Sequence, residues 1–189
     1  MNFKNKWVLG ISIGTGLILF ICVVIPFIRE KYLYWRLGYV DIAPVLIQEG
    51  DLPHDFIEGE IIGIESYYYK SARAKEQEIL ASDGSQIGSV SVFLFASSSE
   101  QSEMYSIYSQ VESQEGIIPY EVNDIGDQRQ TRTSIFGTGS CTTNVVFTRC
   151  TAIGVIEIYA SCFDKQYGFD FIVNHARRLD ESLKSIACQ

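Results

Sequence analysis

The side chains of this 189-residue chain that are best suited to covalent chemistry are its late cysteines. Four of the five cysteines follow the apolar N-terminus, namely Cys141, Cys150, Cys162 and Cys188. No Cys-x-x-Cys pair occurs and histidines are scarce, so the pattern does not suit a zinc site. An even set of cysteines is typical of an oxidising compartment, where thiols pair. We predict disulfides Cys141–Cys162 and Cys150–Cys188, with buried free thiols as the alternative.

The residues suited to acid–base or metal chemistry are few. His54 and His175 are the two histidines. His54 lies in a predicted turn, which favours a solvated role. His175 lies beside the apolar stripe of a predicted helix, which favours a packed role over a catalytic one. The glycine-rich stretch 136–141 lacks a P-loop lysine and a Gly-x-Ser-x-Gly elbow. Asp124 and Asp127 supply far fewer oxygens than calcium requires. The sequence therefore predicts no catalytic, cofactor-binding or metal-binding site, and an enzyme is the least favoured class.

A run without charged residues extends from Trp7 to Ile28. As a helix, its 22 residues would reach about 33 Å, close to the ~30 Å hydrocarbon core of a bilayer. Aromatic and basic residues follow over 29–36, as in a headgroup region. The run ends without a small-x-small cleavage site, and bulky residues precede Cys22, which argues against a lipoprotein signal. We predict an uncleaved anchor over residues 1–37 that contacts the bilayer through 7–28.

Small residues recur inside this run as two small-x-x-x-Gly pairs. They are Gly10 with Gly14 and Ser12 with Gly16. This spacing permits close approach of two membrane helices, although glycine is also common in isolated membrane helices. If the spacing forms a packing face, the anchor is itself an interaction element.

Charge and cysteines together predict where the rest of the chain lies. Basic residues flank the run on both sides, so the positive-inside rule does not decide its orientation, and the cysteines favour the extracytoplasmic side. Beyond residue 37 the chain has 10 basic and 22 acidic residues, a net charge of −12. Nucleic acid and anionic lipid are unsuitable partners, because both are negatively charged. We predict a single-pass cell-membrane protein with an acidic extracytoplasmic domain.

That domain, residues 44–189, is long enough for one core. Alternating apolar residues predict strands at 61–69, 78–81, 90–96, 118–123, 131–136, 144–149 and 154–160. Two stretches switch to helical spacing, the first of them after a capping box of Ser97 and Glu100. The predicted apolar faces are Met104, Ile107, Tyr108 and Val111 in the first helix, and Ile172, Ala176, Leu179, Leu183 and Ile186 in the second.

A weak internal repeat suggests how these elements combine. Ile87–Ser97 resembles Ile153–Ser161, and a strand precedes and a helix follows each segment. The repeat predicts an α+β fold of two strand-strand-helix units, with both helices covering one face of an antiparallel sheet in two layers. Chance similarity between amphipathic strands is the alternative.

The last hairpin gives a register to test. If Thr151-Ala152 is a two-residue turn, Val145 lies opposite Ile158 and Cys141 lies opposite Cys162, close enough for a disulfide. Thr-Ala lacks the residues that such turns prefer, and a four-residue loop would leave the two cysteines diagonal.

A tyrosine cluster is the predicted recognition surface. Tyr67, Tyr68 and Tyr69 fall in a predicted strand, so at least one ring points away from the core. Exposed tyrosines favour protein interfaces. The alternative is that a second layer or a loop covers them.

Two short segments carry a family resemblance. Leu46–Pro53 and Val122–Asp127, followed by a hairpin and a last helix, resemble bacterial extracytoplasmic lipoprotein and sensor domains, which are similar in layout to PsbP-like domains. The resemblance covers roughly residues 45–187. It implies a non-catalytic domain that binds proteins or small ligands, and it carries over no functional residue. Many such relatives carry a lipid on cysteine, whereas this chain has the apolar run.

These features favour a non-enzymatic accessory or assembly subunit without a cofactor. Its acidic domain would dock on a larger membrane complex or a neighbouring membrane protein. The alternative is an extracytoplasmic ligand-binding or sensing domain, which requires a pocket between helices and sheet.

Overall fold

The computed structural model describes residues 18, 20–37, 39–48, 50–53, 55–64, 73–110, 123–136, 140–161 and 165–188. The chain divides into two compact units, Met1–Tyr39 and Val40–Gln189.

The described part of the first unit is helical. A π-helical turn, Phe20–Val24, leads into helix α1, Ile25–Leu37. Within the described ranges, no helix has the length and apolar character needed to cross a membrane. Most of the predicted membrane run lies outside those ranges, including Gly10, Ser12, Gly14 and Gly16.

The second unit is an α+β fold, as the sequence predicts. A short 3-10 helix, Ala43–Val45, precedes all of its strands. The strands are β1 Phe56–Ile64, β2 Arg73–Ala81, β3 Gln86–Leu94, β4 Gln128–Phe136, β5 Ser140–Arg149 and β6 Ala152–Ser161. Helix α2, Ser98–Gln110, follows β3, and helix α3, Lys165–Ala187, follows β6. The described strands form one antiparallel sheet in the order β1-β2-β3-β6-β5-β4.

The internal repeat appears in the sheet as a local two-fold relation between β3 and β6. Val90 pairs with Ile156, which the repeat makes its equivalent. Gly88 pairs with Ile158, and reciprocally its equivalent Gly154 pairs with Val92. Each half of the sheet contributes three described strands, so the repeated unit is larger than the predicted strand-strand-helix unit.

The prediction that both helices cover one face is wrong. Ile153 belongs to the cluster that contains Met104 of α2, whereas a Cβ on the next residue, Gly154, would lie 3.2 Å from Leu179 of α3. Because neighbouring strand residues point to opposite faces, α2 and α3 lie on opposite faces of the sheet. The physical reason is that the central strands also carry apolar residues on this second face, where Phe93, Val146 and Ile153 form a buried cluster with Met104.

The predicted register of the last hairpin is also wrong. The chain turns at Cys150-Thr151, one residue earlier than expected. Val145 therefore lies opposite Ile156, and Cys141 lies opposite Ala160. The shift is an even number of residues along β6, so the side chains keep their predicted faces.

Two features stabilise the observed turn. Cys150 has a positive φ of 52°, and its backbone N–H donates to Asp127 Oδ2 at 2.7 Å, while its sulfur is bonded to Cys188. The register also places Gly154 opposite Phe147, whose ring lies 2.5 Å from where a Cβ on Gly154 would be. An aromatic ring thus occupies space that only glycine leaves open.

The two helices follow the predicted signals to different degrees. At the start of α2, the backbone N–H of Glu100 donates to Ser97 Oγ at 3.3 Å, as the capping box predicts. Met104 is buried, whereas Ile107 is exposed, so the apolar face of α2 is narrower than expected. In α3 the predicted face is confirmed for the fully buried residues, which are Ile172, Ala176, Leu179 and Leu183.

Candidate functional site

An open cleft of about 400 Å³ lies between helix α3 and the segment 50–53. Residues one helical turn apart on α3 form one wall, which consists of Phe171, Asn174, His175 and Arg178. Leu52 and Pro53 contribute apolar surface opposite them, together with Asp51. The cleft therefore combines an apolar lining with four polar side chains.

The ion pair of Asp51 with Arg178 joins the two walls. Arg178 Nη2 lies 2.7 Å from Asp51 Oδ2 and also donates to the backbone carbonyl of Leu46. Asp51 Oδ2 in turn accepts the backbone N–H of Gln48 at 2.7 Å. Gly50, with φ of 87°, allows the tight turn that brings the carboxylate back to its own segment. Burial lowers the pKa of Arg178, and the neighbouring Asp51 charge opposes that effect.

His175 is the buried member of the cleft, with an exposed fraction of 4%. Burial, reinforced by the positive charge of Arg178, lowers its pKa to about 4, although Asp51 acts in the opposite direction. His175 Nε2 lies 3.4 Å from Arg178 Nη2. Since a guanidinium has no acceptor, Nε2 accepts this contact and the neutral ring carries its proton on Nδ1. The ring also packs against Phe171, with the ring centroids 5.7 Å apart.

The back of the cleft is tied to the sheet by a buried glutamine on β2. Gln77 Oε1 accepts the backbone N–H of Ile47 at 3.0 Å, and Gln77 Nε2 donates to the Gly59 carbonyl at 3.5 Å. Phe56 of β1 meets Phe171 edge-on, with centroids 6.2 Å apart. These contacts attach Ile47 and Phe171, which neighbour or line the cleft, to strands β1 and β2.

The side chains that line the cleft have the composition of a ligand site. A histidine with a pKa near 4 is a weak general base at neutral pH. The described lining residues contain no serine, threonine, cysteine or lysine, and the carboxylate of Asp51 is paired with Arg178. The groups that do face the cleft are hydrogen-bond donors and acceptors above an apolar surface, a combination typical of ligand sites.

A separate polar cluster fastens the C-terminal half of α3 to the β5–β6 hairpin. Arg149 Nε and Nη2 donate to both carboxylate oxygens of Asp180 at 2.6 and 2.5 Å, and Arg149 Nη1 donates to Asp127 Oδ1 at 2.8 Å. The hydrogen bond to Asp180 is the main reason that the pKa of Arg149 is raised. The Cys150–Cys188 disulfide closes the same junction covalently. This cluster holds the helix in place and does not border the cleft.

One of the two predicted disulfides is observed, and one cysteine of the other lies outside the described residues. The structure joins Cys150 to Cys188, as one of the two pairings predicts. Cys141 is also disulfide-bonded, and its predicted partner, Cys162, lies outside the described residues. Cys22 is a free, exposed thiol.

Of the other predicted site residues, some form contacts in the structure and some lie outside the described residues. Asp127 is paired with Arg149, and among the described residues no group of three or more side chains is arranged to hold a metal ion. His54 and the tyrosine cluster of Tyr67, Tyr68 and Tyr69 lie outside the described residues, so their proposed roles stay predictions.

Among the polar members of the cleft, sequence reasoning singled out His175 and missed Asp51, Asn174 and Arg178. The spacing of Phe171, His175 and Arg178 along α3 was a usable signal, because it forms a second stripe beside the apolar one. Nothing local links that stripe to Asp51, which is distant in the sequence and reaches it only through the fold.

No similarity to a known protein bears on these conclusions, which rest on the geometry of the chain itself. Neither a family model, a characterised protein nor a solved structure matches the chain significantly. The resemblance to extracytoplasmic lipoprotein and sensor domains therefore stays a prediction.

Proposed function

We propose that this protein is a membrane-anchored, non-enzymatic accessory or assembly subunit whose acidic extracytoplasmic domain docks on a larger membrane complex or a neighbouring membrane protein. The observation that supports the anchor is a continuous exposed apolar surface in the first unit. From Phe20 to Ile28, large apolar side chains are exposed, with Phe27 at 59%. Such a surface is unfavourable in water and favourable in hydrocarbon.

The aromatic residues that follow this surface support the same proposal. Tyr32 and Trp35 have ring centroids 6.1 Å apart, and Trp35 and Tyr39 meet at 4.9 Å. All three rings are exposed. Lys31 Nζ lies 5.7 Å from the centroid of the Phe27 ring, at the junction of the apolar and aromatic parts. Aromatic rings and a lysine beside an apolar helix are typical of a membrane interface.

Purification of the full chain in a mild detergent, followed by mass spectrometry, tests the docking function. We expect partners present in stoichiometric amounts and still bound after a second, orthogonal column. A monomer that elutes alone from fresh membranes would refute the docking function.

Carbonate extraction tests the anchor. Val24→Lys should release the chain from membranes, whereas the matched change Glu103→Lys, at an exposed position of α2, should not.

The cleft favours a second candidate, an extracytoplasmic ligand-binding or sensing domain. Its Arg178 and Asn174 donors lie beside the apolar surfaces of Leu52 and Phe171, so a small molecule with an apolar body and a hydrogen-bond acceptor fits the lining. The test is an NMR titration of the full chain in micelles with benzoate and, as a mismatched probe, anilinium. Benzoate alone should shift the Phe171 and Asn174 resonances, and Arg178→Met should remove the effect. Equal responses to both probes would exclude this site.

A further inference from the structure

Strand β1 presents an exposed apolar edge. It stands at one end of the six described strands, so one of its sides has no described neighbour in the sheet. Ile57, Ile61 and Ile62 are 49%, 38% and 42% exposed. Single exposed apolar residues are ordinary, but three on one edge strand form a template on which another extended chain can pair.

A bulge distributes these isoleucines over both faces of the edge. Ile57 pairs with Leu80 and Ile62 with Glu76, and the register shifts between Glu58 and Ile61. Because the bulge adds one residue, Ile57 and Ile62 lie on the same face although five positions separate them in the sequence. Ile61 points to the opposite face. An added strand would therefore find apolar contacts on both of its sides.

The charges of β1 restrict what can pair with it. The strand contains Glu58 and Glu60, both exposed, and no basic residue. On the neighbouring strand, Lys75 is already held by Asp41, with Nζ 3.4 Å from Oδ1. Pairing β1 with a second copy of itself would bring like charges together across the strands, which is destabilising. A strand that carries lysine or arginine would instead place opposite charges there.

We propose that β1 is the docking edge for an extended, basic segment of a partner protein, which adds to the sheet as a further antiparallel or parallel strand. Backbone hydrogen bonds along the edge would supply affinity, as in other strand-addition complexes. Glu58 and Glu60 would select a basic segment, and the exposed isoleucines would receive its aliphatic side chains. The inference rests on the proposed docking function and names the surface and the chemistry of the partner.

Synthetic strands test this proposal on the full chain in detergent micelles. The probe is a labelled peptide of about nine residues, the upper range for a strand, that alternates lysine and valine. Two counterparts are used: one with glutamate in place of lysine, and one with the lysine sequence but alternate backbone N-methyl groups. The third peptide keeps the charge but cannot pair along one edge.

We expect the lysine peptide to bind about tenfold more tightly than either counterpart, the sum of several cross-strand charge and backbone contacts. Hydrogen exchange should slow in β1 and not in α2. The variant with Glu58→Lys and Glu60→Lys should reverse the preference between lysine and glutamate peptides, and Glu103→Lys should leave it unchanged. Both glutamates are exposed, so circular dichroism should show a folded charge-reversed variant.

Four results would overturn the proposal. Equal binding of all peptides would show that β1 does not select a strand, and binding of the N-methylated peptide at full strength would reduce the contact to charge attraction. Self-association that protects β1 would make a second copy the occupant. A native complex that survives the charge reversal would refute the β1 edge while leaving the docking function intact. Isolation of the wild type without partners would refute the docking function, and the peptides would still decide whether β1 pairs.

Discussion

The two faces of the sheet are closed in different ways although the strands beneath them repeat. On one face lies α3, a helix of 23 residues whose stripe residues Ile172, Ala176, Leu179 and Leu183 are fully buried. On the other lies α2, a helix of 13 residues that packs on a cluster containing Phe93, Val146 and Ile153. Farther along that second face, the sheet presents Glu157 and other polar side chains instead of a continuous apolar surface. The internal repeat therefore extends to the strands and not to the packing of the helices on them.

Different interactions hold the two helices on the sheet. The α3 side has a disulfide and a buried ion pair in addition to apolar packing, and it also carries the cleft. The described contacts of the α2 side include those of Met104, Tyr105 and Tyr108 with the sheet. We infer that covalent and ionic bracing secures the end of α3, and that these contacts contribute to the position of α2. Perturbations of the bracing should then act on one face and spare the other.

Removal of the Cys150–Cys188 disulfide should have the largest effect. The bridge closes a loop with a sequence separation of 38, so the chain-entropy model gives a loss of about 4 kcal/mol in the free energy of unfolding when both cysteines become serine. Urea unfolding monitored by circular dichroism measures it. Hydrogen exchange should accelerate first at the C-terminal end of α3, with α2 unaffected.

Cys22→Ser is the matched control, because Cys22 is a free, exposed thiol and its loss should not change the unfolding midpoint. If exchange accelerates in α2 and α3 together, the two faces do not have separate supports, and the comparison fails.

Loss of the buried carboxylate of Asp180 should have the next largest effect. The Asp180 side chain is 2% exposed, and Asp180→Ala leaves the Arg149 guanidinium without its main partner in a poorly hydrated place. We expect a loss of about 3 kcal/mol. Asp127→Ala should cost less, about 1 kcal/mol, because the Asp127 side chain is 50% exposed. Equal losses from the two variants in urea unfolding would contradict the assignment of Asp180 as the principal brace.

The sequence predicted the local features of both faces and not the long-range ones. The apolar stripe of α3, the Ser97 cap of α2 and the equivalence of Gly88 with Gly154 depend on residues close in the chain, and local periodicity records them. The face chosen by α2 depends on apolar side chains such as Phe93 and Ile153, which alternate with those of the predicted core face. Because the central strands carry apolar residues on both faces at this end of the sheet, periodicity alone cannot say which face a helix takes.

The cleft and the hairpin turn escaped prediction for a related reason. Asp51 reaches Arg178 only after α3 packs on the sheet, so no short spacing contains the pair. The turn at Cys150 requires a positive φ that sequence rules assign to glycine or asparagine. Here the bonds to Asp127 and Cys188 supply the stabilisation that local propensity lacks.

Acid should weaken the α3 face through His175. Its pKa is lowered from 6.5 to about 4 in the folded protein, so between these values the unfolded chain binds a proton that the folded chain does not. Stability therefore falls as pH decreases through this window, by about 2 kcal/mol from pH 7 to pH 5. Unfolding measured at both values should show the loss in the wild type and a smaller loss in His175→Gln. Identical losses would show that the buried ring does not control the response.

Alkali should act on the opposite face, with the smallest effect. Burial, with the charge of Glu157, raises the pKa of Tyr159 to about 12, and burial with Glu157 and Glu76 raises the pKa of Tyr108. For a group whose folded pKa is raised, stability is present below pH 10 and declines as pH increases toward 12. Tyr159 OH donates to Glu157 Oε2 at 3.0 Å, so Glu157→Gln should lower the pKa of Tyr159 in a phenolate absorbance titration. The pKa of His175 in the cleft should not respond to Glu157→Gln, since His175 and Arg178 lie on the other side of the sheet. A change in the pKa of His175 in this variant would mean that the two faces are electrostatically coupled through the sheet. Their separate bracing would then not make them independent.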